Sequence, residues 1–204
     1  RHDPMRAVAP KNMLSSGIAQ TTLVVAAERG GCDLMRKMVV GMFLLLVASS
    51  VAAQTPMVAT DITAAEVQAF FKDAPRDRNS DRPIRVIDVG GYRTGIFGVF
   101  RPKDTPPSAI MHQTNVTEVY YMLEGAGVLV TGGALRKPQM PRPSTLGEWT
   151  DVTSDRIDGG VSRRIAKGDV VIIPGGLPHM WASLEGDITY LIVRPDPDKK
   201  VPLK

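Results

Sequence analysis

Beyond Pro83 the chain is a series of short β-rich runs separated by glycine and proline, with no helical period between them. This pattern argues against a parallel sheet, which needs a helix between successive strands. We therefore predict at least six antiparallel strands and an all-β sandwich or barrel over residues 83 to 195. The runs are IRVIDVG, YRTGIFGVF, EVYYMLEG, AGVLVTGG, SRRIAKGDVVIIP, HMWASLEG and DITYLIVRP.

One short helix is predicted ahead of the barrel, within residues 54 to 82. In ITAAEVQAFF, Thr63 and Glu66 have the spacing of a capping box, in which each residue bonds a free amide of the other. Pro75 closes the helix, because proline cannot continue it. After the barrel, residues 196 to 204, which include DPDKK, are predicted to form a solvated tail.

One interval of the β-rich region, residues 132 to 160, shows no sustained period. Pro138, Pro141 and Pro143 fall close together within it. We predict a long surface loop between strands, and long ordered loops are often functional. Trp149 is the residue in this interval that we expect to pack back on the barrel.

The N-terminal region contains the pattern of a secretory signal peptide. Residues 35 to 53 have a basic start, an apolar run and a small-residue end, which predicts cleavage after Ala53 and a secreted or periplasmic protein. The alternative, a permanent membrane anchor, is less favoured because the uncharged span 38–53 is shorter than the roughly 20 residues that cross a bilayer. Residues 1 to 34 are interpreted as upstream sequence or a wrong start. Because cleavage removes the apolar run, we expect the remaining protein not to associate with a membrane.

Removing residues 1 to 53 changes the net charge of the chain and its cysteine and histidine content. That segment holds six of the 25 basic and three of the 21 acidic residues, so the remainder has a net charge near +1. Nucleic acid is therefore not an expected partner. The single cysteine, Cys32, is also removed, which excludes disulfides. Of three histidines, only His112 and His179 remain.

Both remaining histidines lie in short stretches that carry further notable residues. In MHQTNVTEVYYMLEGAG, Glu118 follows His112 by six residues, and His179 ends the glycine- and proline-rich stretch GDVVIIPGGLPH. Two imidazoles and one carboxylate are the smallest protein ligand set for a divalent metal that acts on a substrate. A salt bridge from Glu118 to an arginine is the competing explanation for a carboxylate beside the apolar VYYML.

These two stretches resemble the paired motifs of the cupin superfamily, G-x5-H-x-H-x3-4-E-x6-G and G-x5-P-x-G-x2-H-x3-N. The resemblance covers roughly residues 83 to 195 and implies a double-stranded β-helix, or jelly-roll barrel, with a metal at its mouth. The chain departs from the motifs at Thr114, Ser183 and Pro106, which replace a histidine, an asparagine and a glycine. The matching positions are His112, Glu118, Gly125, Gly168, Pro174, Gly176 and His179.

The resemblance implies that His112, Glu118 and His179 bind iron, manganese, zinc or nickel. The reduced ligand set still matches the two-histidine, one-carboxylate arrangement of non-haem iron oxygenases, so we expect metal-dependent, oxygenase-like chemistry on a small organic molecule. Motif glycines are expected at turns, and a homodimer is expected by analogy with the family.

Three residues near the motifs, Gln113, Tyr120 and Trp181, are predicted to contact the substrate. Two other functions remain open. A non-catalytic cupin that binds a metal or small ligand is favoured by Thr114, which leaves only three ligands. A metal-independent isomerase or lyase would use His112 or His179 as a general base.

Overall fold

The computed structural model describes residues 58–204, so the predictions for the signal peptide and the upstream segment lie outside the described residues. The predicted helix, α1, spans Ala64–Lys72. Its capping box is confirmed: the Thr63 hydroxyl accepts from the Glu66 amide at 3.2 Å, and the Glu66 carboxylate accepts from the Thr63 amide at 2.8 Å. Within this range, no helix is both long and apolar enough to cross a membrane.

All the paired strands are antiparallel, and they form two large sheets and one small one. The five-stranded sheet has the order β1-β2-β13-β4-β11, the six-stranded sheet has the order β10-β5-β12-β3-β8-β7, and β6 pairs with β9. In chain order the strands are β1 (Ser80–Asp88), β2 (Arg93–Arg101), β3 (Ala109–Gln113), β4 (Glu118–Glu124), β5 (Ala126–Thr131), β6 (Ala134–Leu135), β7 (Arg142–Pro143), β8 (Thr150–Ser154), β9 (Ile157–Asp158), β10 (Val161–Ala166), β11 (Val170–Ile173), β12 (His179–Leu184) and β13 (Ile188–Asp196).

Successive strands alternate between the two large sheets. The strands β3, β4 and β5 lie in the six-, five- and six-stranded sheets in turn, and β10 to β13 repeat the same alternation. This winding is that of a jelly roll, the double-stranded β-helix. The predicted fold class, an all-β barrel of this type with one short N-terminal helix, is confirmed.

The core lies between the two large sheets. Phe97 and Ile192 come from the five-stranded sheet, and Leu129 and Trp181 from the six-stranded sheet. Because strand side chains alternate between faces, the inward-facing side chains of the two sheets meet in this core. The remaining inward positions, at one end of the barrel, are polar and form the site described below.

Residues 132 to 160, predicted as a long surface loop or an excursion between strands, contain strands that were not predicted. This interval contains β6 to β9, and β8 joins the six-stranded sheet by pairing with β3. The strands have only two to five residues, too few for a period to be recognised. The expectation for Trp149 is confirmed, since its side chain is buried in the core.

The C-terminal segment also differs from the prediction of a solvated tail. Val201 is only 1% exposed, and its amide donates to the buried Asp196 carboxylate at 2.7 Å. The amide and carbonyl of Lys204 bond those of Val86, at 3.2 and 3.0 Å. The segment therefore extends the pairing of β1 and closes one edge of the five-stranded sheet.

Candidate metal centre

The two motif histidines and the motif glutamate come together inside the barrel. His112 lies on β3 and His179 on the neighbouring β12, so their rings are 5.4 Å apart. Glu118 begins β4 in the other large sheet. One ligand atom from each residue lies within 4.8 Å of the other two. The three residues could therefore hold a metal ion.

Hydrogen bonds at Nδ1 set the protonation of both imidazoles. His112 Nδ1 lies 2.6 Å from Asp151 Oδ1, and His179 Nδ1 lies 3.0 Å from the Leu177 carbonyl oxygen. An ionised carboxylate and a carbonyl can only accept, so each Nδ1 carries the proton. In the neutral form of each ring, Nε2 then has a free lone pair, which is the form that binds metals.

Both free lone pairs lie close to the Glu118 carboxylate. His179 Nε2 is 3.4 Å from Oε2, and His112 Nε2 is 3.9 Å from Oε1. When both rings are neutral, three acceptors therefore converge without a proton between them, an arrangement that a metal cation would stabilise. Imidazole nitrogen and carboxylate oxygen suit iron, zinc, nickel and manganese, so the donor set fits a divalent metal.

The competing explanation for Glu118, a salt bridge to an arginine, is also present. Arg194 donates to Glu118 Oε1 from Nε at 2.8 Å, and its Nη2 lies 2.6 Å from the same oxygen. The same guanidinium forms a bidentate pair with Asp81, at 3.0 and 2.6 Å. Burial of Glu118 therefore does not by itself imply a metal. The metal interpretation depends on the two Nε2 atoms that face it.

The electrostatics keep the cluster ready to bind a cation near neutral pH. Burial alone would raise the pKa of Glu118, but the charge of Arg194, together with the two histidines in their protonated form, holds it at about 2. Burial lowers the pKa of His179 and outweighs the opposing effect of Glu118. Burial, and then Glu118, raise the pKa of Tyr120, so its phenol stays protonated and donates to Glu118 Oε2 at 3.1 Å.

A cavity of about 510 Å³ opens onto this cluster. Of the three residues predicted to contact substrate, only Tyr120 lines it. Trp181 lies behind the wall, where its Nε1 donates to the Tyr190 hydroxyl at 3.3 Å. Gln113 is exposed and accepts from the Thr150 hydroxyl, because it adjoins His112 on β3 and points to the opposite face. Thr114 also does not line the cavity.

Two charged residues of the site, Asp151 and Arg194, were not predicted from the sequence. The inward position of Arg194 follows from the alternation of β13, in which every second residue from Ile188 to Asp196 is buried. A charge in that register must face inward and needs partners. No comparable signal exists for Asp151, because β8 is short and polar.

Replacing Asp151 with asparagine is expected to weaken metal binding about 10- to 100-fold, the usual cost of losing a partner behind a ligating histidine. The carboxylate orients the His112 ring and also accepts from Trp149 Nε1 at 3.0 Å. Calorimetric titration with Zn²⁺ and Mn²⁺ measures the change. Asp155→Asn, at an exposed position next to β8, is the matched control. Equal affinities in the two variants would contradict the role of Asp151.

Known proteins resemble this chain only distantly. No family model matches the sequence, and no curated protein matches it. A protein with a double-stranded β-helix domain from Klebsiella pneumoniae is 12% identical, covers 71% of this chain and 97% of its own, and has a TM-score of 0.41.

Two further solved structures are similar at the same level. The DMSP lyase DddQ from Ruegeria pomeroyi is 15% identical, with 84% of this chain and 96% of that chain covered and a TM-score of 0.41. An RmlC-like cupin from Desulfovibrio desulfuricans is 14% identical, with 70% and 98% covered and a TM-score of 0.36. A likeness at this level does not fix a function.

Proposed function

We propose that this protein is a cupin that binds a divalent metal ion through His112, Glu118 and His179 and acts on a small organic molecule. One observation carries the proposal: two imidazole Nε2 lone pairs and a carboxylate converge within 4.8 Å in a buried space. The hydrogen bonds at both Nδ1 atoms support it, because they select the metal-binding form of each ring.

The cavity beside the cluster supports small-molecule chemistry. Its volume of about 510 Å³ lies within the range of ligand sites, and Tyr120, Tyr190, Ile110 and Leu146 give it apolar walls. A bound metal would supply a Lewis acid and, if it is iron, a centre for reaction with oxygen. The chain itself would hold the substrate beside the cluster and exclude water from it. Oxygenase-like chemistry is the most specific activity that we propose.

Metal analysis tests the proposal first. Protein purified without added metal is expected to contain one equivalent of a first-row metal, or to take it up with a single binding transition. The metallated protein is then assayed with Fe²⁺ and oxygen against phenols, thiols and short organic acids. Turnover that is lost on chelation supports the proposal. A protein that takes up none of the four metals would refute it.

A metal-independent acid–base function is the second candidate. The 2.6 Å bond between His112 and Asp151 is the pairing that orients a general-base histidine, and Arg194 already neutralises Glu118. This function predicts activity that survives chelation. A stoichiometric metal without turnover of any substrate would instead favour the third candidate, a non-catalytic binding protein.

We further propose that the protein is secreted or periplasmic and forms a homodimer. The basic, apolar and small-residue pattern of residues 35 to 53 supports secretion. The resemblance of the barrel to the cupin superfamily supports the homodimer. N-terminal sequencing of the exported protein should begin at Gln54. Sedimentation of the same sample should give twice the mass of one chain.

A further inference from the structure

The cavity beside the metal cluster carries more positive than negative side chains. Five arginines line it against three carboxylates, so its net charge is positive with both histidines neutral. Such a cavity attracts anions and raises their local concentration. The arginines are Arg78, Arg82, Arg101, Arg142 and Arg194, and the acids are Asp81, Glu118 and Asp151.

The arginines of the cavity differ in how well their charges are compensated. Arg194 is 1% exposed, but it contacts two carboxylates. Arg101 is half-buried, and its only hydrogen bond runs from Nε to the Tyr190 hydroxyl at 3.1 Å. Among residues 58–204, no carboxylate oxygen lies within 4.0 Å of the Arg101 guanidinium. Within the part of the chain described, Arg101 is therefore a cation without a direct ion-pair partner, and Asp81 acts on it only from a greater distance.

The Arg101 side chain is held in place by its neighbours. Tyr190, which accepts from its Nε, is buried, stacks on Tyr120 at 4.8 Å between ring centroids and also accepts from Trp181 Nε1. With Nε occupied, the two terminal amino groups of Arg101 remain free. A guanidinium fixed in this way offers parallel N–H groups that match the two oxygens of a carboxylate.

We propose that Arg101 anchors a carboxylate group of the substrate, so that the substrate is a small organic acid. This inference rests on the proposed function, because it places the acid in the cavity beside the metal cluster. Withdrawing a charge from water without a partner is costly, and a substrate carboxylate would supply the missing partner.

The cavity favours a carboxylate over a phosphate. The nearby Asp81 and Glu118 would repel the second charge of a dianionic phosphate. The apolar part of the wall, which includes Ile110 and Leu146, fits the carbon skeleton of an acid. At the exposed entrance, Arg82 and Arg142 would attract the anion and speed its association.

Matched acids and amides test the proposal. Succinate and benzoate are titrated into the full chain beside succinamide and benzamide, and binding is followed by NMR shifts or calorimetry. We expect the acids to bind about 10- to 100-fold more tightly than the amides, as a charge-assisted bond in a partly dry site predicts. In Arg101→Gln this preference should fall to less than about threefold, and Arg101→Lys should retain part of it.

Arg101 also borders a smaller cavity of about 260 Å³ together with Lys103, which provides a matched control. Lys103→Gln removes a cation from that cavity alone and should leave the preference intact. Loss of the preference in Lys103→Gln, or its survival in Arg101→Gln, would overturn the assignment. Tighter binding of methyl phosphate than of both acids would overturn it as well, as would equal binding of acids and amides.

Titrations on metal-free protein distinguish the contribution of the metal to acid binding from that of Arg101. The chelator is dialysed away first, because it is itself a polycarboxylate. Since Arg101 belongs to the chain, the preference for acids should survive metal removal. Arg101→Gln should still bind Zn²⁺ at least as tightly as the wild type, because it removes a positive charge that acts on His179. If no metal binds but acids are still selected through Arg101, the proposed metal chemistry fails and the anchor stands. If metal binds without selection of acids, the anchor fails alone.

Discussion

His179→Ala is expected to abolish stoichiometric binding of Zn²⁺ and Mn²⁺, with affinity falling by more than about 100-fold. This exceeds the effect of losing a partner behind a ligand, because a ligand atom itself is removed. The remaining His112 and Glu118 come from different sheets and would offer only two donors. Such a site cannot compete with water and buffer for the metal.

Calorimetry and thermal unfolding measure this loss independently of any activity. Saturating Zn²⁺ should raise the melting temperature of the wild-type protein, because a ligand that binds only the folded state stabilises it. No such rise is expected for His179→Ala. Ser183→Ala, at an exposed position on the same strand, should behave like the wild type. Metal stabilisation of His179→Ala equal to that of the wild type would remove His179 from the ligand set.

The turn positions of the fold were predictable because they depend on local backbone geometry. Gly125 joins β4 to β5 with a φ of 80°, a conformation that side chains disfavour. A Cβ atom there would clash with the Asp187 carbonyl oxygen. Only glycine fits such a turn, so the spacing from Glu118 to Gly125 reports the fold directly. Gly176, three residues before His179, has a φ of 74°, which side chains also disfavour, although a Cβ atom there would have no neighbour within 4 Å.

The surroundings of the metal ligands were not predictable, because they depend on pairing between distant strands. Asp151 meets His112 because β8 and β3 pair in a register that sets these two residues opposite each other. No local pattern in residues 132 to 160 specifies that register. Gln113 illustrates the same limit: its place beside His112 in the sequence suggested a shared site, whereas strand alternation turns it to the other face.

Arg194 contributes both to the stability of the fold and to the ionisation of Glu118. It contacts Glu118 on β4 and Asp81 on β1 from its position on β13, and so ties three strands of one sheet together. Its charge also keeps Glu118 ionised despite burial. The polar end of the barrel is therefore held together by the same ion pairs that prepare a carboxylate for a cation.

Arg194→Met is expected to lower the free energy of unfolding by about 3–5 kcal/mol, the usual cost of breaking a buried ion pair on one side. Glu118, which is 4% exposed, would lose its main compensating charge. Urea unfolding of metal-free protein at pH 7 measures the loss. Arg85→Met is the matched control, because it breaks a 3.0 Å pair with Glu66 that is more than 40% exposed on both sides. Its cost should stay below about 1 kcal/mol.

The pH dependence separates the charge effect from the change in packing. The pKa of Glu118 is about 2 in the folded wild type, against an ordinary value of 4.5. Its ionisation therefore adds stability above pH 4.5, and this is lost as the pH falls towards 2. In Arg194→Met, burial is no longer opposed by the arginine, so ionised Glu118 opposes folding. The difference in free energy of unfolding between wild type and Arg194→Met should shrink from pH 7 to pH 3. At pH 7 the same difference should be smaller when both proteins also carry Glu118→Gln. A difference that stays constant with pH would mean that packing, and not charge, is what Arg194 contributes.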